Sequence, residues 1–201
     1  MDDNRIGVTP AVLDAIVADT RAIGFGMASE VKTGSLLRAL AASKPAGRIL
    51  ELGTGTGVGT AWLLAGMDAN ARLDSVDNDP AAQAVAQRHL GHDPRLTLHL
   101  ADGAEFLRRL PARAFDLVYA DTWAGKFTHL DDALALVRVG GIYLVDDLLP
   151  QANWPDGHAP KVEALVTDLE GRVDFAAVKL AWASGLLVLV RTDAPTTRLP
   201  A

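Results

Sequence analysis

One alternation restricts the fold more than any other feature of the chain. Between Arg48 and Asp147, short apolar runs and helical stretches take turns, so that the chain holds five runs of strand character. "RILELG", "ARLDSVD", "RLTLHLA", "FDLVYAD" and "IYLVDD" read as strands. "GTAWLLAGM", the segment from Pro80 through "AAQAVAQRHL", "GAEFLRRL" and "THLDDALALVRV" read as helices, the last closed by Gly140 and Gly141. Such units predict a parallel sheet with helices on both faces. The final runs, "VDFAAVKLAW" and "GLLVLVRT", are separated by a turn around Ala183 and Ser184 that is too short for a crossover, so they must pair antiparallel. The expected architecture is α/β: a seven-stranded Rossmann-like sheet, mostly parallel, closed by an antiparallel hairpin.

Two helices precede the sheet. Thr9 and Pro10 read as cap and first helical residue of a helix reaching about residue 23. A second spans residues 33–43 and stops before Pro45. A late helix is expected over residues 161–170, after the loop "LLPQANWPDGHAP". At 201 residues the chain is expected to be one domain, with 1–46 as a helical cover, 47–192 as the α/β core and 193–201 as a flexible tail. The N-terminal helix would cover the site or form a homodimer face.

Composition narrows the function. A net charge of -6 disfavours nucleic acid and anionic membrane, which call for basic surface. Without cysteine there is no disulfide, thiolate nucleophile or thiolate metal site. The first ten residues, "MDDNRIGVTP", are acidic and lack the apolar core of a signal peptide, and the run "GLLVLV" is far too short to span a bilayer. A cytoplasmic protein acting on a small molecule is the expectation.

The segment "ILELGTGTGVGT" runs from the first strand into glycines at alternate positions. A dinucleotide fingerprint needs Gly or Ala at its third position, but Val58 or Thr60 stands there in the two possible registers. No Gly-Lys-Ser/Thr follows, so a phosphate loop fails too. What remains is Glu51, Gly53, Gly55 and Gly57. An acid at a strand end repels a pyrophosphate and suits a ligand that carries positive charge.

This pattern resembles the first motif of S-adenosylmethionine (SAM)-dependent methyltransferases of class I. The resemblance implies that Gly53, Thr54, Gly55 and Gly57 pass beneath the methionine part of the cofactor. Asp77, with Asn78 beside it, would take the ribose hydroxyls, and Asp102, followed by Gly103, the adenine amino group. Either acid could instead cap a helix; Asp79 is the better cap of its own helix. Acids at successive strand ends fit the rule for ligands of open sheets.

Asp121 ends the fourth strand, and Asp146 and Asp147 end the fifth. If they converge, unit charges about 4 Å apart repel by roughly 4 kcal/mol per pair at an effective dielectric near 20, so the cluster needs a cation or a proton. Oxygen donors favour Mg²⁺, Mn²⁺ or Ca²⁺. "DTW" at Asp121 followed by "VGGIYLVDD" is similar to the metal-binding pattern of the catechol and caffeoyl-coenzyme A O-methyltransferases. That resemblance implies Asp121, Asp146 and Asp147 as metal ligands, Asp121 also bordering the cofactor, and Met27, Ser29 and Gly34 in a segment over the cofactor. Two positions depart from the pattern. Asp147 replaces the family's Asn, and Lys126, the candidate base, stands five residues after the acid rather than three. A bulge at Gly125 would let its ammonium arrive; a solvated loop lysine is the alternative.

The implied activity is methyl transfer to a hydroxyl of a small, catechol-like acceptor. Trp123 and Trp154 would be walls for a planar ring, and Lys126, His129 or His158 the proton acceptor. His89, His92 and His99 fall away from the expected site. The rival readings are metal-independent methyl transfer, aminopropyl transfer, a nicotinamide-linked oxidoreductase and a SAM-binding protein without turnover.

Overall fold

The computed structural model describes residues 2–152 and 154–193. The tail expected at 193–201 therefore lies, beyond its first residue, outside the described residues. Helices α1 (Leu13–Ala22) and α2 (Val31–Ala42) come first. The alternating part follows as β1 (Arg48–Leu52), α3 (Val58–Gly66), β2 (Arg72–Asp77), α4 (Pro80–Leu90), β3 (Leu96–Leu100), α5 (Gly103–Leu107), β4 (Phe115–Ala120), α6 (Leu130–Ala135) and β5 (Val137–Val145). The chain then adds α7 (His158–Glu170), β6 (Phe175–Leu180) and β7 (Leu186–Arg191).

The seven strands form one sheet in the order β3-β2-β1-β4-β5-β7-β6. Strands β1 to β5 run parallel, while β7 pairs antiparallel with both β5 and β6. The order reverses between β1 and β4, and in open sheets ligands bind at the carboxyl ends of strands flanking such a reversal.

Side-chain alternation splits each central strand between two cores. Ile49, Leu117 and Tyr119 join the cluster under α2 and α3, whereas Leu50, Leu52, Val118 and Ala120 join the opposite one with Leu165 and Leu169 of α7. Both faces being covered, these strands read as continuous apolar runs. Helix α3 is buried on every side from Val58 to Leu64, with Trp62 at its centre.

Three element boundaries differ from the sequence expectation. Pro10 opens a turn rather than a helix: Leu13 N–H donates to the Pro10 carbonyl at 3.0 Å, and α1 starts only there. The helix expected through Val139 ends at Ala135, and "VRV" belongs to β5. Val137 is buried against Phe115, Arg138 pairs with Asp116, and the β4–β5 register shifts between Phe115 and Leu117, which accommodates Gly140 at φ +73°. Finally, α7 begins at His158, three residues early, because Gly157 takes the left-handed conformation (φ +76°) that launches it.

Candidate active site

The carboxyl ends of β1, β2, β4 and β5 surround a cavity of about 550 Å³. Its floor is the turn from β1 into α3. Gly53 has φ +100°, and a Cβ there would lie 2.8 Å from the Asp121 carbonyl oxygen, so the turn can approach the end of β4 only with bare backbone. Gly53, Thr54 and Gly55 border the cavity together with Phe25, Met27 and Ser29 from the α1–α2 connection. Gly57 does not border it. Its φ is +90°, and a Cβ would meet Ala86 of α4 at 2.8 Å, so this glycine serves helix packing.

The acids sort into separate roles. Asp77 borders the cavity with Asn78; its Oδ2 accepts from Gly55 N–H at 2.7 Å and its Oδ1 from Asp79 N–H at 2.9 Å. The carboxylate thus braces the glycine turn while presenting its remaining lone pairs. Asp79 caps α4 through Ala81 and Ala82. Asp102 caps α5, accepting from Glu105 N–H at 2.9 Å, and neither it nor Gly103 borders the cavity. Glu51 is buried under the turn, its Oε2 accepting from Thr60 Oγ1 at 2.5 Å and Ser75 Oγ at 2.6 Å. Gly34 also stands apart, because it packs α2 against Trp62.

Asp121, Asp146 and Asp147 do converge on the cavity, but protein donors already engage them. Asp121 Oδ2 accepts from Ser29 Oγ at 3.1 Å and Tyr119 Oη at 3.0 Å. Tyr119 Oη also lies 2.8 Å from Asp146 Oδ2, while Ser184 Oγ and Asp147 N–H donate to Asp146 Oδ1, the latter at 2.7 Å. A phenol has one proton to donate, so it cannot satisfy two ionised carboxylates at once. Burial pushes Asp121 well above the usual carboxylate range, with the Asp146 charge adding and Lys126 opposing. Burial and the Asp147 charge push Asp146 the same way. Tyr119 and Ser184 went unread in the sequence: each looks like an ordinary core or turn residue until β4, β5 and the β6–β7 turn are brought together.

Lys126 is not a solvated loop lysine. It is 5% exposed, its Nζ donates to the Asp146 carbonyl at 2.9 Å, and Asp147 Oδ2 is 4.0 Å away. Gly125, at φ +88°, makes the bulge that brings it in. Asp147 itself sits at φ +62° and accepts from Gln151 Nε2 at 2.6 Å.

The three acids meet with their oxygens already contacted by protein groups. Among the described residues no group of three His, Asp or Glu side chains could hold an ion. Both Asp146 oxygens are engaged, and an ammonium already faces Asp147. The expected ligand set thus meets as a hydroxyl-bridged, lysine-compensated cluster. The cavity does suit an adenosine-bearing sulfonium. Bare backbone at Gly53 and Gly55, a carboxylate at the end of β2 and its volume match a nucleoside with a small acceptor beside it.

Part of the cavity wall is aromatic. Trp123, Phe127, Trp154 and His158 all border the cavity, with His158 4.8 Å from Trp154, 5.0 Å from Phe127 and 6.0 Å from Trp123 between ring centres. Lys161 Nζ sits 4.7 Å from the Trp123 ring centre. His129 is elsewhere, paired with Asp132 at 2.9 Å; His89 pairs with Asp19 and His99 with Asp74, as expected of histidines outside the site.

Known proteins similar to this chain are methyltransferases. A family model described as a methyltransferase domain matches residues 50–148. A putative O-methyltransferase of Mycolicibacterium vanbaalenii is 36% identical over 141 residues, which cover 66% of this chain and 62% of that protein. The chain spans less than two thirds of the length of that relative and of similar mycobacterial ones. A putative O-methyltransferase of Mycolicibacterium smegmatis is 33% identical over 192 residues, covering 89% of this chain and 91% of the relative. Among solved structures, the O-methyltransferase TomG of Streptomyces achromogenes, in complex with SAM, shares the fold at a TM-score of 0.80 and 22% identity, over 94% of this chain and 93% of that one. With a relative matched over nearly its whole length and the class I sheet in place, the chain belongs to the SAM-dependent O-methyltransferase family.

Proposed function

We propose that the protein transfers a methyl group from SAM to a hydroxyl of a small, planar, catechol-like acceptor. One observation carries this reading: a single cavity joins the glycine turn and Asp77 to an aromatic wall and a buried ammonium. Gly53, Thr54, Gly55, Met27 and Ser29 hold the methionine part; Asp77 and Asn78 hold the ribose; Asp121 borders the transferring centre. Trp123 and Trp154 sandwich the acceptor ring.

Bound SAM supplies a methyl group on a positively charged sulfur. The chain aligns the acceptor oxygen with that methyl and excludes water, which favours a reaction that neutralises opposite charges. Lys126 contributes a fixed positive charge beside the acceptor oxygen. In a low-dielectric site such preorganised charge stabilises an oxyanion without rearrangement. The metal-assisted version, with Asp121, Asp146 and Asp147 as ligands, is the alternative. The acceptor is a small molecule, in keeping with a net charge of -6, which disfavours a polyanionic partner. Among the described residues no helix is long and apolar enough to cross a membrane; a cytoplasmic site of action belongs to the proposal.

The test is methylation of a panel of catechols and simple phenols, followed by mass spectrometry, with EDTA in one arm and added Mg²⁺ in another. Turnover that ignores the chelator is the expected result. Loss with EDTA and recovery with Mg²⁺ would return Asp121, Asp146 and Asp147 to the role of metal ligands.

A further inference from the structure

His158 is the first residue of α7 and one wall of the cavity, in the part lined by Trp123, Phe127 and Trp154. It is 8% exposed, and its Nδ1 is buried with no hydrogen-bond partner among the described residues. Buried polar atoms are almost always paired, so an imidazole with an unpartnered nitrogen in a cavity wall stands out, and a ligand would meet the part of the ring that borders the cavity. The other histidines that make close contacts, His89, His99 and His129, each face a carboxylate within 2.9 Å. His158 faces rings and two ammonium groups instead. Burial first, then Lys126 and Lys161, hold its imidazole below the ordinary histidine range, against an opposing pull from Asp147. A neutral imidazole keeps one nitrogen lone pair, which is what a proton acceptor requires. Lys126 Nζ, by contrast, is already engaged, donating to the Asp146 carbonyl at 2.9 Å with Asp147 Oδ2 4.0 Å away.

We infer that His158 accepts the proton of the acceptor hydroxyl, while Lys126 stabilises the oxyanion that results. This rests on the methyltransfer reading given above. The acceptor O–H bond breaks and its proton passes to the imidazole. The oxyanion pair forms the new C–O bond as the C–S bond breaks, and that electron pair stays on sulfur as a neutral thioether. The imidazolium then returns its proton to water when the products leave.

The inference is tested with His158→Gln and His158→Ala on two probes, catechol and 4-nitrocatechol. The nitro compound is far more acidic and needs little help in losing its proton. For catechol, kcat is expected to fall by about 10²- to 10⁴-fold, the usual worth of a general base. For 4-nitrocatechol the loss should be less than about 10-fold, because Brønsted behaviour removes the demand for a base. Added imidazole should restore part of the catechol turnover of His158→Ala. Affinity for S-adenosylhomocysteine, read by calorimetry, should stay at the wild-type value in His158→Gln, which keeps a polar side chain should the alanine variant fold poorly. Equal losses on both phenols, or no difference between them in His158→Gln, would mean that the ring only packs α7 and would overturn the inference. If the unaltered protein methylates neither probe, the acceptor reading fails first and takes the inference with it.

Discussion

Glu51 shows how one side chain can be indispensable to a turn and yet expensive to ionise. It lies fully buried at the end of β1, with two hydroxyl donors on Oε2 and no partner on Oε1. Burial raises its carboxyl from 4.5 to about 7, the Asp77 charge adds, and the Ser75 and Thr60 hydroxyls offset part. The folded state therefore holds a proton that the unfolded chain releases. The stability linked to Glu51 is fully present below 4.5 and lost as pH rises through about 7. The full swing is on the order of 3 kcal/mol. Replacing it, Glu51→Gln, should flatten that dependence. In urea unfolding at about pH 5 and about pH 8 the variant should lose up to about 3 kcal/mol less than the wild type between the two conditions. Equal slopes would show that Glu51 titrates normally in the fold. Residue identity alone carried part of this scale. Asp79 was legible as a cap, and Asp77 as the acid left over for the site. For Asp102, "ADGAEF" reads equally as a strand-end acid and as an N-cap, and the structure shows the cap, off the border of the cavity. Tyr119 and Ser184 were not legible, since their roles arise only when chain-distant carboxylates meet them.

At the scale of elements, the loop "DTWAGKF" explains how a lysine two residues out of its family position still reaches the site. The loop closes as a tight turn: Lys126 N–H donates to the Trp123 carbonyl at 3.1 Å, and Gly125 N–H to the Thr128 carbonyl at 2.7 Å. The Tyr143 hydroxyl from β5 donates to the Gly125 carbonyl and pins the turn to the sheet. Gly125 is indispensable here. At φ +88° a side chain is strained, and a Cβ would meet Leu52 at 2.6 Å and the Tyr143 oxygen at 2.9 Å. Gly125→Ala should cost about 2 kcal/mol or more of stability, as strain and overpacking combine. It should lower kcat more than it weakens cofactor affinity, because the glycine turn of β1 is untouched. Thermal melting together with separate measurements of kcat and S-adenosylhomocysteine affinity checks this. An affinity loss as large as the kcat loss would contradict it. The strand–helix alternation was legible throughout, because period and length distinguish buried strands from amphipathic helices. Boundaries slipped where tertiary pairing overrode local pattern. "LVRV" continues a helical period, but Val137 and Arg138 gain more from Phe115 and Asp116 across the sheet.

For the whole molecule, the sheet order decides where chemistry can happen. The reversal between β1 and β4 opens the one crevice where the glycine turn, the β2 acid and the β4 and β5 acids can meet. That meeting point was predictable from alternation plus the acids at strand ends. The insertion of β7 between β5 and β6 was not, although its antiparallel sense was, since a hairpin can dock by either strand. Its placement matters, for it delivers Ser184 to Asp146 and so helps tie the acids into a cluster held by hydroxyls and faced by Lys126. The acidic net charge agrees with a site for a small cationic cofactor rather than for a polyanion.

The most direct measurement is calorimetric titration of S-adenosylhomocysteine into the wild-type protein and into Asp77→Ala. The account predicts saturable binding at one site per chain, weakened by about 10-fold or more in the variant, since the proposed ribose contacts would be lost together with the brace on the turn, at more than about 1.4 kcal/mol. No heat with the wild type, or equal affinity in both proteins, would contradict it.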